Sequence, residues 1–144
     1  MAVNSENLVF IIHQTHAILK DHEDKIFGKH GLTTEQYSVL TAIKFFDGSV
    51  RITDIARRLT RSTNSISMLV DRMVKASLVK RTRDRKDRRT VFVTITSKGQ
   101  GLLQPATFAG QEFIQKILSQ VSYEDTQTLI KLFETLQYEV RAYS

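Results

Sequence analysis

Between Lys80 and Arg89 the chain sets seven basic side chains (Lys80, Arg81, Arg83, Arg85, Lys86, Arg88 and Arg89) against Asp84 and Asp87, a net charge of +5 in ten positions. The whole chain of 144 residues carries +6, so the rest is almost neutral. Positive charge concentrated in this way suits a polyanion, because each cation that meets a phosphate displaces a condensed counterion. A second cluster lies upstream: Arg61, Ser62, Thr63, Asn64, Ser65 and Ser67 gather small polar side chains where a helical pattern begins. Such side chains let a helix come close to a nucleic-acid groove and reach base edges, and the helix dipole attracts phosphate at the same end. Met68 and Arg72 point away from the apolar stripe of that helix, and the Met68 side chain suits contact with a thymine methyl group.

The elements around these clusters follow from periodicity. Leu8, Ile11, Ile12, Thr15, Ile18 and Leu19 recur at three- and four-residue intervals, predicting a first helix of about five turns capped by Asn4 or Ser5 and ending near Phe27-Gly28. Thr33 and Gln36 have capping-box spacing and open a helix with Val39, Leu40, Ile43 and Phe46 inward, which stops at Asp47-Gly48. Ser49 to Ile52 is a strand fragment. Thr53 then caps a short helix with Ile55, Ala56 and Leu59 on one side, and Thr60-Arg61-Ser62 leads into a helix over 63–75 with Ile66, Leu69, Val70 and Met73 inward.

Two short helices across a brief turn read as a helix-turn-helix. Residues 78–83 and 90–95 have strand character, joined by the basic loop 84–89, so a cationic hairpin follows directly. In that hairpin Asp87 stands between arginines and is suited to hold a guanidinium at a fixed angle. Thr96-Ser97-Lys98-Gly99 opens a long apolar helix in which Pro105 predicts a kink or a division, and Ser122 with Asp125 opens a last helix carrying Leu129, Leu132, Phe133, Leu136 and Val140.

Several function classes are excluded or disfavoured. The chain has no cysteine, hence no disulfide and no thiolate metal site. It shows no glycine-rich phosphate loop, no serine-nucleophile motif and no HExxH, so no catalytic residue is assigned. No apolar run reaches bilayer length and no basic segment precedes the first apolar stretch, so the expectation is a cytoplasmic protein without membrane contact. His13 and His16 share a helix face, but without cysteine or a neighbouring acid they are read as surface or interface residues; no metal and no cofactor is expected. With Tyr37 they are the candidates for lining a small-molecule effector pocket; Phe45, Phe46 and Phe108 suit such a lining too, although core packing is the commoner role of such residues.

These motifs in this order resemble the MarR-type winged-helix regulators. Asp87-Arg88-Arg89, followed after five residues by Ile95-Thr96, is similar to the family's wing signature of Asp-x-Arg and Leu-Thr. Leu32-Thr33 to Leu40, Ile55-Ala56-Arg57-Arg58-Leu59, Leu69-Val70-Asp71-Arg72-Met73, Leu78-Val79-Lys80-Arg81 and Thr96-Ser97-Lys98-Gly99 fit it as well. The resemblance implies a mainly helical α+β fold in the order α1-α2-β1-α3-α4-β2-wing-β3-α5-α6. It further implies a homodimer on double-stranded DNA, with a winged helix-turn-helix head over 32–97 and a helical dimerisation part from 1–31 and 98–144. It also implies that Asp71 pairs with a wing arginine, Arg89 in the first instance, leaving Arg88 for the minor groove, an assignment open to exchange. Two positions depart from the family pattern: Ser77 stands where glycine is usual after the recognition helix, and Met68 where an arginine often reads bases.

Overall fold

The computed structural model describes residues 4–144 and divides into two units, one ending at Ala109 and one running from Gly110 to Ser144. The element order is α1 (Ser5–Gly28), α2 (Thr34–Phe45), β1 (Ser49–Val50), α3 (Ile52–Leu59), α4 (Thr63–Lys75), β2 (Val79–Arg83), β3 (Val91–Ile95), α5 (Ser97–Leu118) and α6 (Tyr123–Ala142). It is the order the sequence implies. Residues 1–3 of the expected N-terminal part lie outside the described residues.

In the first unit, α2, α3 and α4 enclose a core of Val39, Leu40, Ile43, Ile55, Ala56, Ile66, Leu69, Val70 and Met73, closed on one side by Val50, Val79 and Val93 of the sheet and by Leu78 just before β2. Phe27, Leu32, Leu103 and Ala106 complete it. The sheet is antiparallel in the order β1-β3-β2. Its register runs from Val79 opposite Ile95 to Arg83 opposite Val91, and β1 adds Val50 opposite Val93. Val93 at the centre is fully buried, while the strands carry residues 84–90 outward as a loop.

Local chemistry fixes the helix ends. Asn4 caps α1 by accepting from the Asn7 amide at 3.1 Å. Thr33 and Gln36 form the full reciprocal capping box of α2, and Ser62 and Ser122 cap α4 and α6 by accepting from Ser65 and Asp125. Each such cap stabilises its helix by about 1 kcal/mol.

The first helix starts and ends where the sequence predicts, at the Asn4 cap and Gly28, although its 24 residues make between six and seven turns rather than about five. Lys20–Asp24 and Lys25–Asp21 ion pairs one turn apart, both 3.0 Å, lie along its last turns. Two other expectations change. Thr53 is not the cap of α3: the helix begins at Ile52, and Arg51 in the cap position makes no side-chain capping bond, its Nε donating instead to the Asp54 carboxylate in the first turn at 3.3 Å. Nor does Pro105 divide α5, which is continuous past it. Pro105 and Gly101, whose carbonyl loses its helical donor, are both exposed, so solvent replaces the missing bond.

Three helices of the first unit end on left-handed residues other than glycine: Asp47 (φ 63°), Thr60 (φ 54°) and Ser77 (φ 62°). At Ser77 the Leu78 amide donates to the Met73 carbonyl and the Ser77 amide to the Val74 carbonyl, both at 2.9 Å. This is the crossed pair of bonds that ends a helix around a left-handed residue. The turn that glycine would favour is thus built on serine, with backbone strain.

In the second unit α6 buries none of its residues, and Leu129, Leu132, Phe133, Leu136 and Val140 remain exposed. Among the described residues no helix is long and apolar enough to cross a membrane.

Candidate nucleic-acid interface

The α3–α4 connection is held from both sides. The Arg61 amide donates to the Ala56 carbonyl at 2.9 Å across the left-handed Thr60, and Ser62 caps α4. The first turn of α4 therefore presents Thr63 and Asn64 to solvent, with Ser65 and Ser67 half-buried. One turn further on, Met68 is 54% exposed. Asp71 and Arg72 follow, also exposed. The opposite face, Ile66, Leu69, Val70 and Met73, is in the core, which fixes the rotation of the helix about its axis.

The hairpin loop is organised by Asp87. One carboxylate oxygen accepts from the Arg89 amide at 3.1 Å and from the Arg89 Nε at 3.5 Å, and the other accepts from the Thr90 hydroxyl at 3.4 Å. The Thr90 amide closes back onto the Asp87 carbonyl at 3.0 Å. Asp84 supports the other side, accepting from the Lys86 amide at 3.1 Å. Arg83 donates to the Arg88 carbonyl at 2.8 Å, so it braces the loop from its base. Among the described residues no carboxylate lies within ion-pair range of Arg85, Lys86 or Arg88. These three exposed cations are left for an external anion.

The link between helix and hairpin is not the expected one. Asp71 pairs with Arg81 at 2.5 Å, not with Arg89, whose side chain is 96% exposed and pairs with Asp87. Geometry gives the reason. Arg81 lies two residues inside the Arg83–Val91 end of the ladder and Arg89 two residues outside it, a separation along the strands of about 13 Å at ~3.3 Å per residue. Asp71 thus supports the hairpin from its stem.

The structure separates the three residues grouped as a pocket. His16 lines a cleft of about 390 Å³ with Lys20, Glu23, Glu35, Ser38 and Arg61. An adjoining cleft of about 480 Å³ shares Lys20, Thr34, Glu35 and Leu69 and reaches Asp24 and Arg72. His13 is exposed on α1 and does not line either cleft. Tyr37 is a packing residue, its ring stacked on Phe27 with centroids 3.9 Å apart and its hydroxyl 3.4 Å from that of Thr107. Phe45 is exposed under the Arg58 guanidinium, 3.6 Å from its ring centroid, and Phe46 meets it edge-on.

The clefts carry charges that sequence reasoning did not single out. The Thr34 hydroxyl, then Lys20, hold the Asp24 carboxyl below its ordinary range, and the hydrogen bond to Asp24 raises Lys20. Burial, reinforced by the neighbouring Asp24 charge, pushes Glu23 upward. Glu35 reaches Arg61 at 3.5 Å. Gly99, placed by the sequence at the opening of α5, has a steric role that the sequence did not show: a β-carbon there would stand 2.2 Å from the carbonyl oxygen of Leu78, the residue before β2, so only glycine lets α5 start this close.

Comparison with known proteins agrees with this geometry. The family model described as the MarR family matches residues 30–90, which span α2 through the hairpin loop. The HTH-type transcriptional regulator MhqR of Bacillus subtilis is 26% identical over 134 residues, 93% of this chain and 92% of that protein. Among solved structures, a mutant of MarR from E. coli complexed with operator DNA superposes with a TM-score of 0.82 at 21% identity, over 90% of this chain and 93% of that one. The organohalide-sensing regulator RdhR-CbdbA1625 bound to 2,4-dichlorophenol gives a TM-score of 0.86 at 20% identity, over 96% and 82%. At these identities the structures show a shared fold.

Proposed function

We propose, from the premise that the chain belongs to the MarR family, that it is a sequence-specific regulator of transcription that binds double-stranded DNA as a homodimer. The observation that carries this is the Asp71–Arg81 ion pair, which ties the exposed polar face of α4 to the stem of a hairpin whose tip offers Arg85, Lys86 and Arg88. In this reading α4 enters a major groove with Arg61, Ser62, Thr63, Asn64, Ser65, Ser67, Met68 and Arg72. The wing, with Arg83, Arg85, Lys86, Arg88 and Arg89, follows the phosphates into the adjoining minor groove, where a narrow channel favours arginine. Arg88 is the better minor-groove candidate, since Arg89 shares its charge with Asp87.

Dimerisation is the part of this reading that explains the uncovered apolar faces. Leu8, Phe10, Ile11 and Ile18 on α1 and Leu129, Leu132, Phe133 and Leu136 on α6 are exposed in the single chain. Burying such area is worth about 25 cal/mol per Å², and a two-fold partner supplies matching faces. The residues before 32 and after 97 then form the dimerisation part, and two heads about one helical turn apart read a pseudo-palindrome. In this reading the protein is a repressor in the cytoplasm and has no catalytic role; the relative it matches is named as a transcriptional regulator.

A small-molecule effector fits the clefts between α1, α2 and α4, which Glu35 and Arg61 connect to the opening of α4. A ligand there changes DNA affinity to the extent that it prefers one arrangement of the heads. The test of the whole reading is a binding selection on random duplex DNA. An inverted repeat should emerge, and recovery of sequences without any shared pattern would contradict a sequence-specific regulator.

A further inference from the structure

Arg61 stands between two partners. Its Nη1 lies 3.5 Å from Glu35 Oε1 at the start of α2, and its Nη2 donates to Ser65 Oγ at 2.7 Å. Its backbone is held by the left-handed Thr60 and by the bond from the Arg61 amide to the Ala56 carbonyl, which set the connection before α4. The direction of the side chain is set by Glu35 on one side and Ser65 on the other.

The bond to Ser65 has a chemical consequence. A guanidinium has donors only, so Ser65 Oγ must accept from Arg61, and the hydroxyl hydrogen is directed elsewhere. We infer that Glu35 is a positioning residue for DNA recognition: by holding Arg61 across the first turn of α4, it makes Ser65 a hydrogen-bond donor toward the groove. Ser65 then reads an acceptor, the N7 or O6 of guanine, the N7 of adenine or the O4 of thymine, and rejects the amino groups of adenine and cytosine. This rests on the proposed reading of α4 as the recognition helix.

Glu35 also keeps Arg61 from the phosphates. The pair is partly exposed, 41% for Arg61 and 47% for Glu35, and contributes little to folding stability. Its effect lies in orientation. Without Glu35 the guanidinium samples other rotamers, Ser65 donates or accepts as the base requires, and a freed cation reaches the backbone of any sequence. Discrimination falls while non-specific affinity rises.

The experiment uses the full chain, duplexes that it selects from random DNA, and a scrambled duplex of equal composition. Glu35→Gln should relax discrimination at one base pair of each half-site by about 3- to 10-fold, the range of one hydrogen-bonded base contact. It should also bind the scrambled duplex more tightly, with a salt slope steeper by about 0.9 for each Arg61 that gains a phosphate. Ser65→Ala should relax the same base pair, and the double variant should lose nothing further there. Arg61→Lys, which keeps the charge but loses the two-way fork, should match Glu35→Gln in discrimination. A Glu35→Gln protein with the parent's unfolding midpoint, base preferences and salt slope overturns the inference, as do additive losses in the double variant. Failure of the parent itself to select any sequence overturns the DNA reading and this inference together.

Discussion

Asp71 on α4 and Arg81 on β2 meet at 2.5 Å, joining the helix proposed to read the groove to the stem of the hairpin. Both side chains are partly exposed, 54% and 34%, so the pair contributes about 1 kcal/mol or less to folding. Its importance is geometric. On the proposed reading, an ion pair that holds α4 and the hairpin together lowers the cost of ordering both against a duplex.

Asp71→Ala should therefore weaken binding to the selected duplex by about 5-fold while shifting the unfolding midpoint little. Arg81→Ala should do the same, and the double variant should lose no more than either single one. Titrations of all three on one labelled duplex provide the check, and additive losses would mean that the residues act separately.

The wing tip should divide by role. Arg88→Ala is expected to lose roughly 1 to 3 kcal/mol of operator binding as a groove-inserted arginine. Lys86→Ala should weaken all sequences alike and lower the salt slope by about 1 per contact. Affinities measured across a salt series on selected and scrambled duplexes distinguish the two.

Gly99→Ala should destabilise the fold by about 3 kcal/mol, because the added carbon meets the Leu78 carbonyl at 2.2 Å and backbone has to move. Urea unfolding at fixed protein concentration measures it. An unchanged midpoint would mean that α5 is not held against β2.

Ser77→Gly should have the opposite sign. The residue keeps φ at 62°, a conformation that costs a side-chain-bearing residue about 1 kcal/mol relative to glycine. The same unfolding measurement should show a gain of that order, with DNA affinity unchanged.

What the sequence made legible was mostly local. The capping box of Thr33 and Gln36, the cap at Ser122 and the apolar stripe of α4 involve residues within a turn or two of each other, where spacing alone sets geometry. The order of elements followed from periodicity and turn residues, and the resemblance added the homodimer. Contacts between distant residues were not legible: Arg81 rather than Arg89 meets Asp71 because of strand register, and Glu35 meets Arg61 across 26 positions. Tyr37 stacks on Phe27 through the packing of α1 on α2, which no periodicity within either helix specifies. The requirement for Gly99 arises from a neighbouring strand end, and the strain at Thr60 from a turn in which glycine would be expected.

A footprint of the chain on its selected duplex tests the central claim most directly. The account predicts major-groove protection at two symmetry-related centres, each flanked by minor-groove protection that disappears in Arg88→Ala while the central protection stays. Protection without two-fold symmetry, or flanks that persist when the wing is altered, would contradict it.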